Sequence, residues 1–86
     1  MSGEDMEQHV IYIREPDGSE KIGRFTGRLV EQTDGWNVYI TDDDRVVAYN
    51  ESTRRAEIQT IEEARRGLPR FRKLHEEIGP PEPEDI

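Results

Sequence analysis

The stretch from residue 35 to residue 50 most constrains the fold, because apolar and polar side chains alternate on both sides of an acidic turn. Trp36, Val38 and Ile40 occupy every second position, the period that places side chains on one face of a β-strand. Three consecutive aspartates then interrupt the pattern before a second apolar run begins. Asp favours turns because its carboxylate bonds nearby backbone amides. The sequence therefore predicts a central β-hairpin that supplies much of the core.

Two more strands are predicted before this hairpin. Residues 9–14 contain four consecutive apolar side chains, and we expect a strand that is covered on both faces. Residues 21–32 form the second strand, which we expect to bend at Gly27, since glycine inside a strand marks a bend or a close backbone approach. The bend would let this strand pair with the first strand before Gly27 and with the central hairpin after it. Asp34-Gly35 predicts a tight turn into the hairpin.

The C-terminal part of the chain predicts an edge strand followed by helix. In residues 54–59, Ala56 and Ile58 are expected to point inward, and the charged opposite face suits a sheet edge. Thr60 and Glu63 match a capping box, and Pro69 divides the helical region that follows into a helix to about residue 66 and a second helix from residue 69. One apolar stripe with helical spacing runs through both: Ile61, Ala64, Leu68, Phe71, Leu74 and Ile78.

These elements together predict an α+β fold. We expect an antiparallel β-meander of four or five strands, with one kinked or two short C-terminal helices packed on one face. Residues 1–8 are expected to be a flexible N-terminus, residues 9–79 a single α+β domain, and residues 80–86 an extended acidic tail.

Composition excludes several classes of protein. The chain has 86 residues, 37% of them charged, with no cysteine and two histidines, so disulfide and thiolate chemistry are absent. No apolar run is long enough to span a membrane, and the N-terminus does not resemble a signal peptide, so we expect a cytoplasmic protein. The net charge of −8 argues against nonspecific binding to nucleic acid. Nucleic acid is therefore an unlikely partner on sequence grounds.

Several features together resemble the actinobacterial EXLDI family, which is named for a C-terminal Glu-x-Leu-Asp-Ile. They are the segment Arg24–Leu29, the Trp/Tyr hairpin, the Thr-initiated Glu-rich helix with a Leu-Pro break, and the acidic C-terminus. The chain ends in Glu-Pro-Glu-Asp-Ile at residues 82–86, with Glu where the family has Leu. The resemblance covers residues 21–86; it implies the same order of elements and a bacterial or phage origin, and it implies no chemistry.

The residue patterns that carry enzyme chemistry are weak in this sequence. Consecutive aspartates could ligate Ca²⁺ or Mg²⁺, but the glycine and distal glutamate of an EF-hand are missing. His9 and His75 are the general-base candidates, and neither belongs to a recognisable catalytic motif. We therefore predict no catalytic residue, no cofactor and no metal site, and hence a protein that is not an enzyme. Arginines of the helical region flank the apolar stripe, as solvent-facing side chains do.

The leading hypothesis is a small acidic protein-interaction module that acts by binding another protein. Arg and Tyr are common at binding hot spots, and a C-terminal carboxylate can be captured by a partner. The candidate partner-binding residues are Arg24, Arg28, Tyr39, Asp42, Asp43, Asp44, Asp85 and Ile86. The alternative is a DNA mimic that inhibits a nucleic-acid-binding enzyme, of the anti-restriction or anti-CRISPR type, if its carboxylates line one face. A homodimer formed by sheet extension is also compatible with an edge strand.

Overall fold

The structure is a computed structural model, and it describes residues 6–68 and 70–79. Five strands and two short helices follow in chain order: β1 (Glu7–Arg14), β2 (Glu20–Thr33), β3 (Trp36–Thr41), β4 (Arg45–Asn50), β5 (Arg55–Thr60), α1 (Ile61–Gly67) and α2 (Arg72–Ile78). The strands form one antiparallel sheet in the order β1-β2-β3-β4-β5. The predicted α+β meander with two C-terminal helices is confirmed.

The long strand β2 serves two partners. Its first half pairs with β1, from Arg14↔Glu20 to Glu7↔Gly27, and its second half pairs with β3 from Gly27↔Thr41 onward. The predicted change of partner at Gly27 is therefore confirmed. The turn that follows β2 consists of Asp34 and Gly35, both with positive φ, which is the geometry of a type I′ hairpin.

The sheet is curled, so that β1 passes over the side of the sheet away from the helices. The amide of Arg14 donates to the carbonyl of Arg54 at 2.7 Å, and the Tyr49 hydroxyl donates to the carbonyl of Tyr12 at 2.6 Å. We call the side enclosed by this curl the inner face and the side that carries the helices the outer face. An apolar cluster fills the inner face, consisting of Ile11, Ile13, Val47 and Tyr49 with Phe25, Tyr39 and Ala56 around them.

A second apolar cluster lies between the outer face and the helices. Its buried members are Val38, Ile40, Val46, Ala48, Ala64, Leu68, Phe71, Leu74 and Ile78. Val30, Trp36 and Ile61 pack against it, and the rings of Trp36 and Phe71 meet edge to face with centroids 6.0 Å apart. The predicted helical stripe therefore does meet the Trp36 side of the sheet.

Both helices begin with a backbone amide bonded to a carboxylate. At α1, the Glu63 amide donates to the Thr60 hydroxyl at 3.1 Å and the Thr60 amide donates to the Glu63 carboxylate at 3.0 Å, so the predicted capping box is confirmed. Helix α2 begins at Arg72 rather than near residue 69, and the predicted start at Pro69 falls outside the described residues.

Three sequence expectations about exposure and strand limits differ from the structure. β1 begins at Glu7, two residues before the predicted start, because Glu7 still pairs with Gly27. The expectation that both faces of β1 are covered is wrong, since Val10 and Tyr12 are exposed. The expectation that Ile58 is buried in the core is wrong as well: its side chain is on the same face as Val47 but is exposed, and the helices cover the opposite face of β5.

Candidate protein-binding surface

Three large apolar side chains lie together, uncovered, on the outer face of the β1–β2 hairpin. Val10 is 50% exposed, Tyr12 54% and Ile22 52%. Tyr12 lies directly opposite Ile22 in the β1–β2 ladder, and Val10 is two residues from Tyr12 on the same face. We call these three residues the hairpin patch. Exposed apolar side chains that are contiguous, rather than scattered, are typical of binding surfaces.

The helices leave the hairpin patch uncovered because they lie over the other end of the outer face. Helix α1 contacts β4 and β5, and α2 contacts β2. Two polar contacts join α2 to β2 beyond the bend at Gly27: Arg28 forms an ion pair with Glu77 at 2.6 Å, and Glu31 accepts from the Leu74 amide at 3.1 Å. The part of β2 that pairs with β1 therefore lies outside the area that the helices bury.

Charged side chains border the hairpin patch on the same face. Arg24 lies opposite Val10, and Arg14 lies opposite Glu20 with their charged groups 3.7 Å apart. Arg24 was predicted as a partner-binding residue, and the register places it beside the patch. A border of charged residues around an apolar centre is the usual arrangement of a protein interface.

The other predicted partner-binding residues are dispersed. Arg28 is held by Glu77 under α2, and Tyr39 lies on the inner face. Asp42, Asp43 and Asp44 form the exposed β3–β4 turn, where Asp43 accepts from the Thr41 hydroxyl. Asp85 and Ile86 lie outside the described residues. Of the predicted partner-binding residues that the structure describes, Arg24 alone lies at the hairpin patch.

Tyr39 belongs to an aromatic cluster at the open end of the inner face. Its ring centroid is 4.6 Å from that of His9 and 5.1 Å from that of Phe25. Burial raises the pKa of the Tyr39 hydroxyl above its ordinary value, and the nearby Glu51 carboxylate acts in the same direction. His9 Nε2 lies 3.2 Å from the Gly27 carbonyl, so this imidazole is engaged with backbone and aromatic neighbours.

His75 links the ends of the two helices. Its Nε2 lies 2.8 Å from the Leu68 carbonyl and its Nδ1 lies 3.0 Å from the Gly79 carbonyl. Carbonyl oxygens only accept hydrogen bonds, and a neutral imidazole has a single N–H, so in that form the ring donates to one of the two carbonyls. In the described residues, no group of three or more His, Asp or Glu side chains has the arrangement of a metal site.

The arginines of the helical region are engaged with neighbouring groups. The Arg70 guanidinium lies over the rings of Trp36 and Phe71, 5.1 and 4.5 Å from their centroids, and reaches Glu57 at 4.0 Å. Arg65 donates to the Ile78 carbonyl at 2.7 Å. Both side chains remain partly exposed, which agrees with the solvent-facing position predicted for the helical arginines.

No protein-family model matches the chain, and searches among curated proteins and solved structures gave no significant match. The resemblance to the EXLDI family remains a prediction. Among the described residues no helix has the length and apolar character needed to cross a membrane.

Sequence reasoning missed the hairpin patch, although its signal was present. Val10 and Tyr12 alternate with Ile11 and Ile13, and four apolar residues in a row suggested a strand buried on both faces. The composition of β2 could have shown which face of the hairpin is exposed. On one face of this strand, Ile22 is followed by Arg24, Thr26 and Arg28 at every second position. A strand face that is this polar does not lie in a core.

Proposed function

We propose that this protein is a protein-binding module, and that the hairpin patch is the surface that contacts its partner. The observation that carries the proposal is the exposure of Val10, Tyr12 and Ile22 on one face of a well-paired hairpin, while the helices cover the outer face of β3 and β4. The module acts without a chemical step of its own.

The shape and composition of the patch support binding of a folded protein. Its side chains lie on two paired strands, which already hold the backbone of the patch in place. Little of the free energy of binding is therefore lost to ordering this surface. Tyr12 supplies an aromatic ring and Arg24 a guanidinium beside it, the two kinds of group that most often dominate interface energies. The apolar centre excludes water, and the charged border determines which partners fit.

The distribution of charge gives less support to the alternative of a DNA mimic. Residues 6–79 carry fifteen acidic and twelve basic side chains, so most of the excess negative charge belongs to the two ends of the sequence. Six carboxylates on different elements form ion pairs with Arg or Lys: Glu15, Glu20, Asp43, Glu57, Glu62 and Glu77. A mimic of DNA needs unpaired carboxylates along one face.

The proposal is tested by affinity capture with the full chain and quantitative mass spectrometry of the bound proteins. We expect at least one protein from a lysate of the source cells to be enriched by the natural chain and lost when Ile22→Asp places a carboxylate in the patch. A desolvated, unpaired carboxylate in an interface costs several kcal/mol, on the order of a hundredfold in affinity.

The matched control for this experiment is Ile58→Asp, because Ile58 is 54% exposed and lies on the inner face of the opposite edge strand. It makes the same change in charge at the same exposure. Capture that survives Ile58→Asp and is lost with Ile22→Asp supports the hairpin patch. Capture that is equal for all three chains would show that the partner is bound elsewhere.

A further inference from the structure

A groove separates the two edge strands of the curled sheet. β1 and β5 each have one neighbour in the sheet, and the Arg14 amide reaches the carbonyl of Arg54, immediately before β5, at 2.7 Å. A cleft of ≈ 310 Å³ lies between the strands at this point; its apolar lining consists of Ile13, Pro16, Ala56 and Ile58. Ile58 is more than half exposed. We call this cleft the edge groove.

The edge groove carries a concentration of positive charge on an otherwise acidic protein. Arg14, Lys21 and Arg55 line it together with a single carboxylate, Glu15. Lys21 is 2.9 Å from Glu15, and Arg14 pairs with Glu20, which leaves Arg55 with no carboxylate within ion-pair distance among the described residues. A ligand with negative charge therefore fits the border of the groove.

A second cleft, of ≈ 750 Å³, meets the same edge from the other face. Its lining extends from Arg55, Ala56 and Glu57 on β5 to Trp36 on the outer face. Side chains of an extended strand point alternately to the two faces of a sheet. A strand laid along the β5 edge would thus direct one set of side chains towards Ile58 and the other towards Trp36.

We infer that the β5 edge binds an extended, acidic peptide segment of another protein by strand addition, with an aliphatic side chain of the peptide in the edge groove. The peptide backbone forms hydrogen bonds with the free edge of β5. The apolar residues and the basic border of the edge groove determine which peptide sequences bind. Arg14 borders both this site and the hairpin patch, but the apolar residues of the patch lie on the opposite face of the other edge strand, so the inference does not depend on the proposed function.

The test is a fluorescence anisotropy titration of the full chain with a fluorescein-labelled peptide of alternating Glu and Val. We expect saturable binding that weakens as salt is added, because the border charges are solvent-exposed. Ile58→Asp is expected to weaken binding by about tenfold or more, since it puts a carboxylate beside those of the peptide. Arg55→Glu is a second variant with the same expectation, and circular dichroism confirms that both remain folded.

Leu29→Asp is the matched control, and it is expected to leave peptide affinity within about twofold of the natural chain, since Leu29 is 43% exposed and is not part of the groove lining. Two control peptides test the mode of binding. The same peptide with Lys in place of Glu, and the same peptide with alternate amides methylated, are both expected not to bind, because the first reverses the charge and the second removes the donors that pair with a strand edge.

Four outcomes would overturn the inference. Absence of binding at millimolar protein, or equal binding of either control peptide, would remove strand addition of an acidic segment. A dimer in analytical ultracentrifugation that Ile58→Asp dissociates would assign the edge to a second copy of the chain. Tighter peptide binding after the changes Glu82→Gln, Glu84→Gln and Asp85→Asn in the full chain would assign it to the chain's own C-terminus.

Discussion

At the scale of single residues, Gly27 has the most specific role. It is the position at which β2 leaves β1 and joins β3, and it lies opposite both Glu7 and Thr41. A Cβ atom at this position would stand 2.6 Å from the backbone carbonyl oxygen of Ile40. Only glycine lets the two strands approach this closely at the bend.

We predict that Gly27→Ala lowers the free energy of unfolding by about 1–3 kcal/mol, because a backbone carbonyl cannot move aside as a side chain can. Gly23→Ala in the same strand is the matched control, since its Cβ would meet the flexible end of the Ile13 side chain at 3.0 Å. Urea denaturation measures both. Equal losses for the two variants would show that the close approach at Gly27 is relieved by movement of the sheet.

At the scale of elements, β2 holds the start of α2 through a carboxylate. The residue before α2, Phe71, has no side-chain oxygen to cap the helix, and the Leu74 amide donates instead to Glu31 on β2 at 3.1 Å. A bulge in the β2–β3 ladder between Leu29 and Glu31 lets both Val30 and Glu31 face the helices. The bulge thus places the Glu31 carboxylate, which accepts from the Leu74 amide, beside the apolar contact that Val30 makes with the helices.

Removing the hydrogen bond between Glu31 and the Leu74 amide is expected to destabilise the helix contact. Glu31→Ala leaves a buried amide without an acceptor and should reduce the free energy of unfolding by about 1–3 kcal/mol. Glu31→Gln keeps a side-chain oxygen at the same reach, and it should cost less than the alanine variant. Thermal and urea denaturation compare the two, and a glutamine variant as unstable as the alanine variant would argue that the charge, rather than the hydrogen bond, matters.

At the scale of the whole molecule, β4 joins the two apolar clusters. Val46 and Ala48 face the helices, and Val47 and Tyr49 face the inner side, and all four are buried. Because β4 is buried on both faces, unfolding of either cluster removes contacts that stabilise the other. We therefore expect the sheet and the helices to unfold in one transition.

Ile13→Ala tests this coupling, because Ile13 belongs to the inner cluster and Trp36 reports on the other one. The substitution should lower the free energy of unfolding by about 2–5 kcal/mol, the usual cost of truncating a buried isoleucine. The midpoint of the unfolding transition followed by Trp36 fluorescence should shift by the same amount as the midpoint followed by circular dichroism. Separate midpoints would mean that the two clusters unfold independently.

The sequence predicted local features of the fold well, and it gave no indication that the sheet is curled. Alternation in β3, the Asp34-Gly35 turn, the bend at Gly27 and the capping box at Thr60 each depend on a few neighbouring residues, and each is present. Which face of a strand is buried depends instead on distant parts of the chain.

The candidate site was the least predictable part for the same reason. The hairpin patch is exposed because the helices end short of it, and the edge groove exists because β1 curls back towards β5. The exposure of Ile58 has no local cause in the sequence, and that of Tyr12 is indicated only by the polar residues on the same face of the neighbouring strand β2. Arg24 was predicted from its residue type alone; the structure places it opposite Val10, and its role in binding stays a prediction.

The order of the strands has a consequence for how the chain assembles. Every strand pairs with the one that precedes it, so each newly synthesised segment finds its neighbour already available as it leaves the ribosome. The bond between Arg14 and Arg54 joins the beginning of the sheet to its last turn, and it can form only after four strands have been made. The helices come later still, so the side of the sheet that they cover stays exposed until α1 and α2 have been synthesised.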